Sequence, residues 1–211
     1  MIVIGVTGNI ACGKSTVDRM LLDLGATLLI DADRTVHDLQ RDDPVVRAAI
    51  RERFGAPVFA ADGRLDRRTL GTLVFADPGA LADLEAILHP AVRRRIREQL
   101  AALPADSLVV IDAVKLLQGE LRDLCTSIWW VTAQPEQQLH RLISARGLDE
   151  AAARARMAAQ PALTDWRQWV DVMIDNSGAV EDTRSQVATA LARAQAVCHH
   201  PGDGAGEREC R

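Results

Sequence analysis

Five short apolar runs alternate along the chain with longer stretches whose apolar residues recur at helical spacing. The apolar runs are 2–6, 27–30, 108–111, 128–131 and 172–174. Strands that are apolar throughout are typical of parallel sheets buried on both faces, and the stretches between them supply the helical crossovers that such sheets need. The pattern therefore predicts an α/β fold built on a doubly wound, five-stranded parallel sheet.

The long stretch between the second and third apolar runs contains no convincing strand, and it is too long for one crossover. Asp43-Pro44 and Asp77-Pro78 each combine a helix N-cap with a proline at the first helical position. After the second pair, apolar residues recur every three or four positions, at Leu81, Leu84, Leu88, Val92, Ile96 and Leu100. We expect a helical subdomain inserted beside the sheet, with a kink near Pro90, where the proline removes a backbone donor.

These elements predict one domain over residues 1–197 and a disordered polar tail over 198–211. The sheet core is assigned to 1–35, 105–144 and 165–197, the helical insertion to 36–104, and a further helical segment to about 145–164. This last segment is rich in strong helix formers but poor in large apolar residues. It is either a mobile lid or an exposed surface helix.

The composition narrows the class of protein further. Of the 211 residues, 48% are apolar and 26% are charged, which suits a packed core. The net charge of -4 argues against a dedicated nucleic-acid binder, and no apolar run approaches the ~20 residues that span a membrane. No signal peptide follows Met1, and the four cysteines show no pairing pattern, which suits reduced thiols. We expect a cytoplasmic protein, a monomer or weak homo-oligomer, with no nucleic-acid or membrane partner.

The passage from the first strand into the first helix reads VIGVTGNIACGKSTV, and positions 8–15 fit the pattern G-x-x-x-x-G-K-[ST]. Glycines in such a loop let successive backbone N–H groups face an anion, and the start of the next helix adds its dipole. Lys14 supplies a charge for the β- and γ-phosphates, and Ser15 supplies a hydroxyl for Mg²⁺. An ordinary glycine-rich turn would not require Lys14. The predicted ATP-binding residues of the loop are Gly8, Asn9, Ile10, Ala11, Cys12, Gly13, Lys14, Ser15 and Thr16.

Carboxylates end two other predicted strands, at the sheet edge where parallel sheets bind ligands. Asp112 ends the run LVVID and can hold Mg²⁺, either directly or through water. The sequence DAD, which contains Asp31 and Asp33, ends the second strand. An aspartate there can accept a proton from an attacking hydroxyl, or it can cap the helix that follows. The residues alone leave both readings open.

The chain resembles the bacterial dephospho-coenzyme A kinases over roughly residues 2–196. The segments that carry the resemblance are GVTGNIACGKSTV, IDAD, RFGAPVFAADGRLDRRTLGTLVFADPGALADLEAILHP, EQQLHRL, AAQ and DNSG, in family order. The long third segment is far more specific than the phosphate-loop pattern. The resemblance implies a P-loop NTPase-like fold with a helical CoA-binding insertion and a lid. It also implies that the γ-phosphoryl of Mg·ATP passes to the ribose 3′-hydroxyl of dephospho-CoA, the last step of coenzyme A synthesis.

The resemblance also implies roles for single residues, motif by motif. Asp33 is the implied base that takes the 3′-hydroxyl proton, and Lys14 with the loop amides holds the ATP phosphates. Arg141 in QLHRL reaches the phosphates as charge builds up. His89 lines the acceptor side, and Asn176 in DNSG lies where the family holds the adenine of ATP. Phosphoryl transfer depends on alignment and charge neutralisation, which agrees with these roles.

Three departures from the family pattern stand out. Where most members read Asp-x-Pro-Leu-Leu-x-Glu, this chain reads DAVKLLQ, so Lys115 is added and Gln118 replaces Glu; Lys115 either reaches phosphate or is solvated. The lid arginine expected four residues after Arg141 is Ala145, and Arg146, turned by about 100° on a helix, is a partial substitute for ATP binding. The sequence WRQWVD precedes the last strand where Ala-Asp is usual, and we interpret its tryptophans as packing residues with wet indole edges.

Two other functions stay open on the residues alone. Gln118 and the shifted lid arginine suit a non-catalytic relative that binds ATP or CoA as a sensor. A kinase for a nucleoside or nucleotide would share the phosphate-binding loop. The presence of Lys14, Asp33 and Arg141 together favours a catalytically active dephospho-CoA kinase.

Overall fold

The computed structural model describes residues 1–160 and 163–199, and every element of the fold lies in that part of the chain. The strands are β1 (Ile2–Gly8), β2 (Leu28–Asp31), β3 (Leu108–Asp112), β4 (Ser127–Thr132) and β5 (Val172–Asp175). The α-helices are α1 (Lys14–Asp23), α2 (Ala32–Asp42), α3 (Pro44–Phe54), α4 (Arg67–Ala76), α5 (Pro78–Ala101), α6 (Pro135–Arg146), α7 (Glu150–Ala158) and α8 (Val180–His199). Short 3-10 helices cover Ala56–Val58, Leu116–Gln118, Glu120–Leu124, Leu163–Asp165 and Arg167–Trp169. The end of α8 overlaps the start of the predicted tail, and the rest of that tail lies outside the described residues.

The sheet has the strand order β2-β3-β1-β4-β5, with β1 at its centre. β1 pairs in parallel with β3, from Ile2 opposite Leu108 to Val6 opposite Asp112, and it pairs in parallel with β4 on its other side. β4 pairs in parallel with β5. Each strand differs from its predicted apolar run by at most two residues at either end. The predicted α/β class with a five-stranded parallel sheet is confirmed.

Residues 1–30 and the described residues from 103 onward form one compact unit around this sheet. One face of the sheet buries Ile4 and Val6 of β1 in a cluster with Val17 and Leu21 of α1 and Val187 of α8. Helices α1 and α8 contact each other and the central strand. This packing fixes the carboxyl end of β1, where the glycine-rich loop begins.

Residues 31–102 form a second compact unit, made of α2 to α5. Asp43 caps α3 by accepting hydrogen bonds from the N–H groups of Val45 and Val46, and Asp77 caps α5 by accepting one from Gly79. The helix starts predicted at both Asp-Pro pairs are therefore confirmed. Helices α2, α3 and α4 each pack against α5.

Helix α5 is 24 residues long and continues through Pro90. Its residues Leu84, Leu88, Val92 and Ile96 are buried, as their spacing predicts. A kink near Pro90 stays a prediction, as do the substrate-binding role of 36–104 and the lid role of 145–164. Within the described part of the chain, no helix combines the length and the apolar character needed to cross a membrane.

Candidate active site

The loop between β1 and α1 leaves the centre of the sheet and leads directly into a helix. Gly13, just before α1, has a left-handed conformation with φ +93°. A Cβ on Gly8 would overlap the carbonyl oxygen of Val131, so the neighbouring strand requires a glycine where β1 ends. Ala11 is the one non-glycine residue of the described chain with a positive φ, +56°. Because that conformation costs an L-residue on the order of 1 kcal/mol, the surroundings must hold the loop in this shape.

Asn176, which follows β5, is buried against this loop. Its Nδ2 donates a hydrogen bond to the carbonyl oxygen of Cys12 at 2.9 Å, and its Oδ1 accepts one from the hydroxyl of Thr183 on α8 at 3.1 Å. A Cβ on Gly13 would overlap the same Nδ2. The resemblance implies a place for Asn176 beside adenine, whereas its side-chain amide is bound here to the protein itself. Its observed role is to support the loop.

Arg141 on α6 contacts the same loop through its guanidinium group. Nη1 donates to the carbonyl oxygens of Ala11 and Cys12, each at 3.1 Å, and Nη2 donates to the carbonyl oxygen of Asn176 at 3.1 Å. Arg141 therefore orients the loop backbone and adds a positive charge beside it. Arg146 is exposed in the last turn of α6 and makes no hydrogen bond or ion pair with any residue of the described chain.

The residue Gln160, just after α7, also reaches the loop. Its Oε1 accepts a hydrogen bond from the backbone N–H of Ile10 at 3.0 Å. Helix α7 packs against α6, with Ala153 fully buried. Three successive loop residues are thus held by side chains from one stretch of chain, because Gln160 binds Ile10 while Arg141 binds the next two.

A cavity of about 200 Å³ lies beside Gly8 and Asn9. Lys115, Gln118 and Trp166 line this cavity, together with Gln160 and Trp130. Two of the three departures from the family pattern therefore meet at one place. The cavity wall combines a cation, two amides and two indole rings, a mixture that suits an anionic ligand with a flat or apolar part.

The two tryptophans of WRQWVD have different surroundings. Trp166 lines the cavity, while the ring of Trp169 lies 4.0 Å from the guanidinium carbon of Arg122. The second contact is a cation–π interaction. Both residues are half-buried, which agrees with the predicted packing role and partly wet rings.

The thiol of Cys12 responds to the charges around the loop. Burial raises the pKa of this thiol, the positive charge of Lys14 opposes that rise, and the negative charge of Asp112 adds to it. The thiol is therefore protonated at neutral pH and serves as a buried packing group. Since both charges act on the same sulfur, Lys14 and Asp112 both lie near the loop.

Ser15 and Asp112 supply the oxygen donors expected for Mg²⁺. Asp112 lies opposite Val6 in the β1–β3 pairing, at the end of its strand. Ser15 lies in the first turn of α1 and is exposed. In the described ranges, no group of three or more His, Cys, Asp or Glu side chains could hold a metal ion. This sparse donor set fits Mg²⁺, which in phosphate-binding sites takes one or two protein ligands and completes its shell with phosphate and water.

The two aspartates of DAD differ in what they bind. Asp31 is the N-cap of α2, and its Oδ1 accepts a hydrogen bond from the N–H of Arg34 at 2.8 Å. Asp33 lies in the first turn of α2, is exposed, and makes no hydrogen bond or ion pair within the described chain. Asp31 is therefore the capping residue, and the carboxylate of Asp33 is open to solvent. His89 is likewise exposed, on α5.

A sequence model of the family described as dephospho-CoA kinase matches residues 2–182. The chain belongs to the dephospho-CoA kinase family. A dephospho-CoA kinase from Streptomyces avermitilis is 42% identical over 203 residues, which cover 96% of this chain and 98% of that protein.

Two solved structures extend the likeness to the fold. TT1252 from Thermus thermophilus superposes with a TM-score of 0.70 at 33% identity, covering 91% of this chain and 97% of that one. A dephospho-CoA kinase from Campylobacter jejuni superposes with a TM-score of 0.67 at 25% identity, covering 90% and 96%. Membership of the dephospho-CoA kinase family makes the chain an ATP-using kinase of coenzyme A biosynthesis, which confirms the activity predicted from the sequence. The roles of single residues stay predictions.

Two side chains that hold the loop of this dephospho-CoA kinase family member were not predicted from the sequence. Gln160 belongs to the AAQ segment, so the resemblance marked the place but not the contact. Thr183 is fully buried on α8, one helical turn before Val187. A hydroxyl on the inward face of a helix needs a partner, and that spacing is the signal that could have singled it out.

Proposed function

We propose that the chain transfers the γ-phosphoryl group of ATP to the ribose 3′-hydroxyl of dephospho-CoA, with Mg²⁺, in the cytoplasm, as a monomer or weak homo-oligomer. One observation carries the proposal: the loop 8–13 is held in a left-handed, strained shape by Arg141 and Asn176, immediately before the positive end of α1. A loop fixed in this way offers its N–H groups to an anion without a further ordering cost.

On the ATP side, the loop amides and the first turn of α1 bind the phosphates, and Lys14 neutralises the β- and γ-phosphates. The side chain of Lys14 makes no hydrogen bond or ion pair with the described residues, so its ammonium is available for this contact. Arg141 holds the loop and adds positive charge where the transferred group carries its negative charge. Arg146 is proposed as a further phosphate contact from the lid, and Asn176 as the support beneath the nucleotide.

Mg²⁺ bridges the phosphate oxygens and neutralises their charge when it is bound. Ser15 and Asp112 would hold it, as the donor set allows. Asp112 ends a central strand and Ser15 begins a helix, so both donors are fixed by secondary structure.

On the acceptor side, the oxygen of the 3′-hydroxyl forms a bond to the γ-phosphorus while the bond from that phosphorus to the ADP oxygen breaks. The hydroxyl proton passes to the carboxylate of Asp33. This role is supported by the division of labour in DAD, because Asp31 takes the capping bond and Asp33 keeps its carboxylate open. His89 is proposed to line the acceptor.

The proposal is tested by incubating the protein with Mg·ATP and dephospho-CoA and measuring CoA and ADP by chromatography. We expect one CoA for each ADP, and a preference for dephospho-CoA over adenosine or AMP. Lys14→Ala should lower kcat/KM by roughly a hundredfold or more, since it removes on the order of 3 kcal/mol of charge stabilisation. ATP binding without any CoA would support a sensor instead, and a preference for AMP would support a nucleotide kinase.

A further inference from the structure

The side chain of Gln160 and the backbone of Ile10 are joined across 150 positions of sequence. The Oε1 of Gln160 accepts the N–H of Ile10 at 3.0 Å, and both residues are half-buried. A loop N–H has no helical partner, so the glutamine oxygen satisfies a donor that would otherwise lose its hydrogen bond as the loop closes over it.

This bond belongs to a set that fixes the direction of successive peptides. Gln160 accepts from the N–H of Ile10, while Arg141 donates to the carbonyls of Ala11 and Cys12. One side chain can bind only a donor and the other only acceptors that point its way. Since α7 packs against α6, both side chains come from the same pair of helices.

Ala11 lies between the two anchored ends and carries the strain. Its φ of +56° is unfavourable for any residue with a Cβ. If the bond at Ile10 is removed, the peptide before Ala11 becomes free to turn, and the residue can relax toward a negative φ. That relaxation would move the carbonyls and N–H groups that precede Lys14.

We propose that Gln160 is a positioning residue for the kinase reaction, which holds the phosphate-binding loop in its ATP-binding shape through the N–H of Ile10. The inference rests on the proposed function, because it takes this loop as the ATP site. Coupling between two sites is reciprocal, so ATP should strengthen the Gln160–Ile10 bond as much as that bond strengthens ATP binding. The segment after α7 thereby senses whether nucleotide is bound.

The test compares Gln160→Met, which keeps the length of the side chain but lacks its amide oxygen, with Gln168→Met as the matched control. Gln168 is exposed, lies in the next 3-10 helix, and makes no hydrogen bond with the described residues. Mg·ATP affinity is measured by calorimetry, and kcat and both KM values from CoA formation. We expect Gln160→Met to weaken ATP binding by about tenfold, the usual scale for a lost partly buried hydrogen bond, with KM for dephospho-CoA unchanged.

Two spectroscopic measurements separate this role from a merely structural one. In ¹⁵N-labelled protein, the Ile10 amide proton should move upfield in Gln160→Met and stay in place in Gln168→Met. In the wild type, hydrogen exchange at Ile10 and in α7 should slow when a non-hydrolysable ATP analogue is added. This second measurement needs no variant, so it holds even if Gln160→Met folds poorly.

Wild-type ATP affinity in Gln160→Met, or an Ile10 amide that shows no change with variant or nucleotide, would overturn the proposal. If the wild type binds ATP but makes no CoA, the proposed reaction fails, and the ratio of ATP affinities still decides the role of Gln160. If the wild type binds no ATP, both fail together.

Discussion

The Nδ2 of Asn176 donates a hydrogen bond to the carbonyl oxygen of Cys12 at 2.9 Å, and so the residue after β5 holds the loop that follows β1. The same nitrogen occupies the space that a Cβ on Gly13 would need. The second glycine of the phosphate-binding pattern is therefore required twice: once for its left-handed φ and once for the close approach of a buried amide.

Gly13→Ala should destabilise the protein and abolish ATP binding together. We expect the free energy of unfolding to fall by about 2–4 kcal/mol, because backbone strain is added to a clash with Asn176. Gly25→Ala is the matched control, since Gly25 has φ +101° but has nothing within 4 Å of a new Cβ. It should cost about 1 kcal/mol and leave activity intact. Urea unfolding and calorimetry with ATP measure both effects, and equal costs for the two variants would contradict this explanation.

Arg141→Lys should be severe although it preserves the charge. The guanidinium bridges the carbonyl oxygens of Ala11, Cys12 and Asn176, and a single ammonium cannot reproduce that fork. We expect kcat/KM for ATP to fall by roughly a hundredfold, about 3 kcal/mol in transition-state stabilisation.

Arg154→Lys serves as the control for Arg141→Lys. Arg154 is exposed and pairs with Glu150 one turn earlier on α7. An exposed pair of this kind contributes little, so kcat/KM should stay within about twofold of the wild type. If Arg141→Lys also stays within that range, the three backbone contacts do not govern the loop.

Much of the fold follows from local sequence because its signals are local. The strands are apolar over their whole length, and a buried parallel strand has no other pattern to show. Asp43-Pro44 and Asp77-Pro78 mark helix starts through bonds that reach two or three residues along the chain. The phosphate loop is recognisable for the same reason, since its glycines, Lys14 and Ser15 are consecutive.

The contacts that hold the loop could not be predicted, because they join residues far apart in sequence. Asn176 and Cys12 are 164 positions apart, and Gln160 and Ile10 are 150 apart. A charge pattern suggests a phosphate partner for Arg141, but it cannot reveal that backbone carbonyls accept from the same guanidinium. Only the order of strands in the sheet brings the end of β5 beside the end of β1.

Asp33→Asn and Asp31→Ala should separate catalysis from stability. Asp33→Asn removes the proposed proton acceptor, so kcat should fall by about 10²–10⁴-fold while ATP affinity and stability are kept. Asp31→Ala removes the cap of α2 and should lower the free energy of unfolding by about 0.5–2 kcal/mol, with a far smaller effect on kcat. Steady-state kinetics and thermal unfolding of both variants give the comparison. Near-normal turnover in Asp33→Asn would show that this carboxylate is not the base.

The sulfur of Cys125 lies against the central strand. A Cβ on Gly5 would come within 2.6 Å of that Sγ, and the sulfur donates to the carbonyl oxygen of Leu121. Although part of the residue reaches the surface, the thiol itself is enclosed, and burial raises its pKa from 9.0 to about 12, with the negative charges of Asp123 and Asp171 adding to the rise. The folded state therefore retains a proton that the unfolded state loses.

Stability should consequently fall as the pH rises above 9, because folding favours the protonated thiol. Below pH 9 both states carry the proton and the contribution is fully present; by pH 10.5 the loss from this thiol should reach about 2 kcal/mol. The chain suits the measurement because it contains no tyrosine, and arginines, which stay charged there, make up most of its basic residues. Urea unfolding of the wild type and Cys125→Ala from pH 8 to 10.5 isolates the effect. The variant should lose less stability over this range, and parallel pH profiles would show that the thiol ionises equally in both states.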